Sequence, residues 1–579
     1  MKVRSFRALG VFALQLSLIF TLLPGWKGSA LAATRDPVRG QHGMVASNNE
    51  IASQVGIDIL KRGGNAVDAA IAVGLALAVV FPYAGNIGGG GFMLIRKKDG
   101  TTTAIDYREM APKAAHRNVY LNDKGELIEG EGGSILGYRS AGVPGTLAGF
   151  DLALKKYGSG RLKWSELVRP ARILAQRGFP VSHSYVRSIE SHKDDLAKYE
   201  DSNRIFLNGG KFLNEGDLLL QPDLAQTLGR IEKIGAQEFY TGKTAQLIAD
   251  DMKAHNGLIT LEDLKNYVAK ERVPVRGTYR GYEILSMPPP SSGGAIMVEI
   301  LNILEAYDLR SMGYNSAARY HLVTEAMRRA FADRSEYMGD ADFVDVPVKT
   351  LIDKKYAETR RASIDLNRAT ASTEIGHGKI TGAEGSETTH FTVVDAEGNV
   401  VSNTYTINNG YGSAVTVKGA GFLLNDEMDD FAAQPGKPNM FGLIQGERNA
   451  VHPAKRPLSA MTPTIVLRKD GTPWFAVGAA GGPRIISAVL QTVINVIDHD
   501  MNIQQALDAP RIHHQWMPDQ LLIEPYGISP DTRKILESYG QKFGERPLFI
   551  ANGTAIMIDE KGIRLGAVDA RGAGAAVGY

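Results

Sequence analysis

The 579-residue chain contains no cysteine. That excludes disulfides, and it excludes a lipid-bearing cysteine behind an export leader. A dominant charge is missing too: 65 Lys and Arg stand against 63 Asp and Glu, for a net charge of +2, with no long basic run. Nothing in it forms an electrostatic footprint for nucleic acid. Beyond the N-terminus no stretch reaches the ~18 uninterrupted apolar residues of a membrane-spanning helix. There is no internal repeat and no low-complexity tail.

Several catalytic signatures are also missing. No G-x-S-x-G elbow occurs, which leaves an α/β-hydrolase serine unsupported. None of the 12 histidines is followed by glutamate, so there is no H-E-x-x-H zinc pattern. His513-His514 is better read as structural than as a metal pair, because adjacent side chains usually point apart. The stretch Gly235–Thr244 suggests a phosphate loop, but Gln237 holds the position of the first required glycine. Ile87–Gly91 lacks the following Lys-Ser/Thr. Both read as turns, and no metal or organic cofactor is expected.

Apolar residues at 44% and charged residues at 22% are ordinary for a globular protein. Glycine is enriched, 64 of 579 residues or about 11% against an average of roughly 7%. Its clusters at Gly88–Gly91 and Gly481–Gly482 suggest tight turns and close backbone approaches. At the N-terminus Lys2, Arg4 and Arg7 precede an apolar stretch, Ala8–Leu23, and then the small residues "SALAA". This reads as an export leader over residues 1–32, cleaved after Ala32. A permanent anchor is the alternative, but Gln15, Ser17 and Thr21 interrupt the stretch. An exported protein, periplasmic or secreted, is expected.

Helical patterns fill residues 44–93 and a long middle from Gly142 to about Asn256, with a further helix over Ala295–Tyr307. "GGGGFMLIRKKDGTTTAIDYREMAP" predicts a hairpin about Lys98-Asp99-Gly100, and "RGTYRGYEILSM" predicts a strand. The run Ser372–Glu387 is polar and aperiodic and reads as an exposed loop of the kind where chains are nicked. After it the character changes. "TTHFTVVDAEGNVVSNTYTIN" predicts two strands about Ala396–Asn399. More strands follow at "TPTIVLRKDG" and "PWFAVGAAGG", then a helix from Arg484 to about His499, and "TAIMIDEKGIRLGAVD" predicts one more hairpin. Helices beside antiparallel strands imply a layered α+β architecture.

The loop-to-strand junction carries the chemical question. If the hairpin turn centres between Glu397 and Gly398, Thr388 faces roughly Ile407, with Thr406 and Asn408 beside it. Threonine opens strands simply because it packs well on a pleated surface. Alternatively the chain is cut between Glu387 and Thr388. An internal threonine hydroxyl is a weak nucleophile, but an N-terminal one carries its own base, an α-amine with a pKa of roughly 7.7–8.0.

The segments "GGNAVDAAIA", "GGGGFM", "DYREMAP", "MPPPSSGG", "ADRSEYMGD", "TTHFTVVD", "GFLLNDEMDDF", "KRPLSAM" and "GAAGGPRI" occur in this order. Through them the chain resembles the γ-glutamyltranspeptidases (glutathione hydrolases) over essentially its whole length after the leader. The resemblance implies a precursor that cleaves itself before the first threonine of "TTH", giving a large subunit, 33–387, and a small one, 388–579. Together they would build a four-layer αββα N-terminal-nucleophile fold. It implies Thr388 as nucleophile, Thr406 as its hydrogen-bond partner, and Gly481 and Gly482 as an oxyanion hole. Losing one such donor typically costs ~10²–10³ in rate. It implies Arg108 and Ser459 for the donor α-carboxylate, and Asn408, Glu427 and Asp430 for the ammonium. Two departures stand out: Ala460 where relatives commonly have a second serine, and Phe441 where many bacterial relatives carry a lid tyrosine.

The reading is an exported, self-processing γ-glutamyl transferase and hydrolase. Its substrates would be small γ-glutamyl donors such as glutathione, with water or amino-acid acceptors. Two alternatives stand beside it. A related cephalosporin (glutaryl) acylase would take a side chain lacking the ammonium, against which Glu427 and Asp430 speak. A non-enzymatic periplasmic binding protein would stay uncleaved.

Overall fold

The computed structural model describes residues 34–376, 388–435, 440 and 445–579. The expected leader, Glu387 and Phe441 lie outside the described residues. Of the strands in the two large sheets, seven precede Thr388: β1 (Val38–Gly40), β2 (Met44–Ser47), β3 (Gly90–Arg96), β4 (Thr102–Asp106), β5 (Lys270–Arg272), β6 (Val275–Tyr279) and β7 (Tyr282–Ser286). Seven follow it: β8 (Thr389–Val394), β9 (Val400–Thr406), β10 (Thr464–Leu467), β11 (Pro473–Ala480), β12 (Asn552–Ile558), β13 (Arg564–Val568) and β14 (Ala575–Gly578). They form two seven-stranded sheets, ordered β14-β2-β8-β9-β3-β4-β5 and β1-β13-β12-β11-β10-β7-β6. Each sheet therefore mixes strands from both sides of Thr388.

Helices α1 (Glu50–Lys61) and α2 (Ala66–Val80) cover the outer face of the first sheet. On the second sheet lie α3 (Gly293–Leu304) and α6 (Arg484–Ile497), with α4 (Ala317–Tyr337) and α5 (Lys354–Arg361) outside them. Since β8 and β9 also pack on β11, the order of layers is helix, sheet, sheet, helix. The sequence of α2 accounts for its place. Asn65 caps it, accepting from the Val67 and Asp68 amides, while Asp68 accepts from the Asn65 amide. All fifteen of its residues are buried, as a helix apolar on every side requires.

The predicted hairpins form, with two refinements. "RGTYRGYEILSM" is itself a hairpin, β6–β7, turning at Arg280 (φ 54°) and Gly281 (φ 83°). In the β8–β9 hairpin Thr389 pairs with Tyr405 and Val394 with Val400, so the turn centres on Glu397. Asp395 causes the shift: its carboxylate accepts from the Glu397 and Asn399 amides, and Gly398 takes the left-handed conformation (φ 87°) that closes an odd-numbered loop. Continuing the ladder, Thr388 stands opposite Thr406, not Ile407.

Both strands of this hairpin are buried at every position. Their alternation thus separates two interiors, not core from solvent. Phe391, Val393, Val401 and Tyr405 face the helices, while residues of even number face the other sheet. Among these is His390, whose Nδ1 lies 2.8 Å from Thr404 Oγ1 and whose Nε2 lies 3.1 Å from Thr392 Oγ1. Its ring fills the space over Gly478, where a Cβ would come within 2.3 Å of it. Burial pushes its pKa down to about 3. His390 is thus a neutral spacer between sheets and no general base. A folded-state pKa below the ordinary 6.5 means that the unfolded chain takes the proton first, so this contribution to stability is complete above pH 6.5 and fades as pH falls toward 3. His390→Gln is expected to melt lower than the parent at pH 7.5 and to lose less on acidification to pH 4.5. Calorimetry at the two pH values checks the difference.

The run Ser372–Glu387 is only partly an exposed loop. Ser372 and Ile375 are buried, while residues 377–387 lie outside the described residues. His513 and His514 are structural. His513 meets Ser487 and Gln515, and His514 Nδ1 accepts from the Trp516 amide. No cluster able to hold a metal occurs among the described residues.

Candidate active site

One end of the sandwich gathers the predicted residues. Thr388 enters β8, Thr406 ends β9, Arg108 lies two residues beyond β4, and Gly481-Gly482 links β11 to α6. Thr388 is 6% exposed, and on its parity it points between the sheets. A small cavity there is lined by Thr388, Arg108, Asn408, Glu427, Asp430, Ser459 and Gly482, with Ala460, Met461 and Ile485. Of the candidate residues among those described, only Thr406 and Gly481 are not in that lining, and both adjoin members of it. The Thr406 hydroxyl accepts from the Asn408 amide at 2.7 Å. It thereby fixes the turn in which Asn408 adopts φ 72°.

Gly481 (φ 140°) and Gly482 (φ 58°) have the backbone that glycine alone adopts readily. A Cβ on Gly481 would also fall 2.8 Å from the Ala551 Cα. The pair stands at the N-terminus of α6, where unsatisfied N–H groups and the helix dipole favour negative charge.

Arg108 is completely buried. One terminal nitrogen donates to Glu427 and the other to Asp430. Its remaining donors reach the Pro457 and Leu458 carbonyls at 3.3 Å. Glu109 Oε2 stands 3.7 Å from the same guanidinium. Burial disfavours the charge on Arg108, but Glu427, Asp430 and Glu109 outweigh it and raise its pKa. One cation cannot keep three enclosed carboxyls ionised. Burial pushes Glu109 up to about 7 and Glu427 well above the carboxylate range. Neither oxygen of Glu109, nor Oε2 of Glu427, has a hydrogen-bond donor.

The acidic turn Glu427–Asp430 is locked from both sides. Asn425 holds its start, accepting from the Glu427 and Gly142 amides and donating to the Gly88 and Gly142 carbonyls. Asn449 donates to the Asp430 carbonyl at 2.6 Å and accepts from the Leu458 amide at 3.0 Å, so it joins the turn to the Ser459 segment. Beneath Ser459 lie Ser291 and Ser292. Ser292 bonds the Ser459 carbonyl through its hydroxyl and its amide, each at 2.7 Å, and Ser291 Oγ donates to the Met461 carbonyl at 2.6 Å. Arg334 Nε in turn donates to Ser292 Oγ at 2.8 Å, and burial lowers its pKa to about 9. Glu109, Asn425, Asn449 and Arg334 escaped the sequence reading. Glu109 sits inside the quoted "DYREMAP" and could have been noticed as a second charge beside Arg108.

The family model described as Gamma-glutamyltranspeptidase matches residues 52–579. The "Glutathione hydrolase proenzyme" of Escherichia coli (strain K12) is 50% identical over 536 residues, covering 92% of this chain and 91% of its own. The solved cephalosporin acylase of Bacillus halodurans superposes with a TM-score of 0.82 at 26% identity, over 96% of this chain and 99% of that one. The solved gamma-glutamyltranspeptidase of Helicobacter pylori gives a TM-score of 0.56 at 44% identity, over 62% of this chain and 97% of that one. The layered α+β architecture is that of the N-terminal-nucleophile hydrolases, and the chain belongs to the gamma-glutamyltranspeptidase family.

Proposed function

We propose that the protein is an exported γ-glutamyl transferase and glutathione hydrolase made as a precursor. Residues 1–32 are the leader, and cleavage between Glu387 and Thr388 yields chains 33–387 and 388–579. In maturation Thr388 Oγ attacks the Glu387 carbonyl, the peptide C–N bond breaks, and the Thr388 nitrogen takes up a proton. Water then hydrolyses the resulting ester, freeing both the Glu387 carboxylate and the Thr388 hydroxyl. The exposed α-amine becomes the base for the same hydroxyl.

In turnover Thr388 Oγ attacks the γ-carbonyl of a donor such as glutathione. The developing oxyanion is met by the Gly481 and Gly482 amides at the α6 terminus. The cysteinylglycine amine leaves with a proton, and a γ-glutamyl ester remains for water or an amino-acid amine to open. Arg108 takes the α-carboxylate with help from Ser459, and Asn408, Glu427 and Asp430 take the ammonium. Ala460 supplies no hydroxyl to this carboxylate, which weakens donor binding by about 1 kcal/mol per missing hydrogen bond.

The observation that carries this reading is a cavity in which Thr388 meets one buried guanidinium and two carboxyl groups. An amino-acid head group is zwitterionic. Its carboxylate suits Arg108, while its ammonium supplies the positive charge that the crowded acids lack. A glutaryl group brings no ammonium. Accordingly γ-glutamyl-p-nitroanilide is expected to release p-nitroaniline at a kcat/KM at least ~10²-fold above glutaryl-p-nitroanilide, the scale of one lost charge-assisted contact of roughly 3 kcal/mol. Equal rates, or a preference for the glutaryl compound, would assign the site to acylase chemistry. Ligand binding without release from either would point to a binding protein.

A further inference from the structure

We propose that Ser292, held by Arg334, is a positioning residue: it fixes the Ser459 hydroxyl as a hydrogen-bond donor to the substrate carboxylate and so sets the affinity for γ-glutamyl groups. The inference rests on the assignment of Ser459 to that carboxylate made above.

Ser459–Met461 lies outside the strands, and its peptide groups are held by neighbours. Ser292, the residue before α3, binds the Ser459 carbonyl through its hydroxyl and its amide, each at 2.7 Å. The Ser459 amide donates to the Pro290 carbonyl at 2.9 Å. Thr462 Oγ1 donates to the Ala460 carbonyl at 2.8 Å, and Ser291 Oγ donates to the Met461 carbonyl at 2.6 Å. Three successive carbonyls thus each receive a hydroxyl. The approach leaves no slack, since a Cβ on Gly293 would fall 2.2 Å from Thr462 Oγ1 and 2.7 Å from the Met461 carbonyl oxygen.

A hydroxyl can donate or accept, and here its role is decided by partners that can do only one. A guanidinium only donates, so the Ser292 oxygen accepts in its 2.8 Å contact with Arg334 Nε. Its own proton then goes to the Ser459 carbonyl, which only accepts. The Ser459 oxygen accepts from the Met461 amide at 3.2 Å. That leaves the Ser459 proton for a group in the cavity that Ser459 lines together with Thr388. A proton so presented suits a carboxylate, which only accepts, and not an ammonium, which only donates.

Ala460 lines the same cavity without a hydroxyl, so the stretch offers the substrate the Ser459 hydroxyl alone. Its orientation therefore matters more than it would beside a second serine. Arg334 and Ser292 precede the proposed cut and Ser459 follows it. The larger chain would thus order a substrate contact of the smaller one.

The test measures kcat and KM for γ-glutamyl-p-nitroanilide with the parent, Ser459→Ala, Ser292→Ala and the double variant. Ser459→Ala loses one hydrogen bond to a charged group, so its KM is expected to rise about tenfold or more, with kcat nearly unchanged. Ser292→Ala keeps the amide contact to the Ser459 carbonyl and is expected to raise KM less, by about three- to tenfold. The double variant should match Ser459→Ala, because the outer residue acts only through the inner one. Ser292→Ala also strands the Arg334 N–H and should melt lower, but a merely structural loss would not produce a KM change that vanishes in the Ser459→Ala background. Should the alanine variant not accumulate, Ser292→Cys keeps the volume, weakens both bonds and should move KM in the same direction. A parental KM in whichever Ser292 variant folds, or single effects that multiply in the double variant, would overturn the relay and leave Ser459 at the carboxylate. An unchanged KM in Ser459→Ala, or a parent that releases no p-nitroaniline, would remove the assignment of Ser459, and the relay with it.

Discussion

Thr388→Ala is expected to remain a single polypeptide and to lose γ-glutamyl transfer and hydrolysis together. In the proposed scheme one oxygen serves both steps: before cleavage it would attack the adjoining Glu387 carbonyl, and after cleavage it would carry the acyl group. Removing a covalent nucleophile from a hydrolase lowers turnover on the order of 10⁶-fold, so the loss should reach the detection limit. Thr388→Ser separates the two roles. It keeps the hydroxyl and the adjacent nitrogen, so cleavage should still occur, if more slowly. The fold should survive in both variants, because Thr388 lies just outside the ladder that begins at Thr389. Unaltered melting with an intact chain is the expected pair of observations for alanine. A cleaved and active alanine variant would move the nucleophile elsewhere.

The second large effect concerns Arg108. Changing it to alanine would leave Glu109, Glu427 and Asp430 enclosed without their cation. Breaking a buried pair in this way costs about 3–5 kcal/mol, so Arg108→Ala is expected to melt far below the parent or fail to accumulate. Arg108→Lys is the informative change. It preserves the charge but cannot reach Glu427 and Asp430 from two separate nitrogens, nor present a planar fork to a carboxylate. The KM for a γ-glutamyl donor is expected to rise roughly 10²-fold, about the value of one or two charge-assisted hydrogen bonds, with a smaller change in kcat. If Arg108 only neutralised its neighbours, lysine would shift stability and leave KM where it was.

Much of the catalytic layer could be read in advance because it is local. The β8–β9 hairpin announces itself by alternation around a Gly-containing turn, which is enough to bring Thr388, Thr406 and Asn408 together. The offset of one residue came from Asp395, whose side chain grips two loop amides, a detail that alternation does not carry. The glycine cluster at Gly88–Gly91 marks a close backbone approach. At Gly89 an added Cβ would stand 2.0 Å from the Thr406 carbonyl.

What stayed hidden is long-range. Helix α4 carries Arg319, Glu325, Arg328, Arg329, Asp333 and Arg334, a composition suited to a solvated surface, yet all six are buried. Their partners, among them Ser292, Ser363, Asn495 and Asp519, lie tens to hundreds of residues away in sequence. The same holds for Ser372, which looks like loop until Trp516 and Asp519 are brought to it. Neither periodicity nor composition records which distant group satisfies a charge.

Of all these claims, the cut before Thr388 is tested most directly by intact mass and N-terminal sequencing of the purified, active protein. The account predicts two chains, the smaller one beginning Thr-Thr-His-Phe and ending at Tyr579. An active preparation consisting of one uncut chain, or a smaller fragment beginning at any other residue, would contradict it.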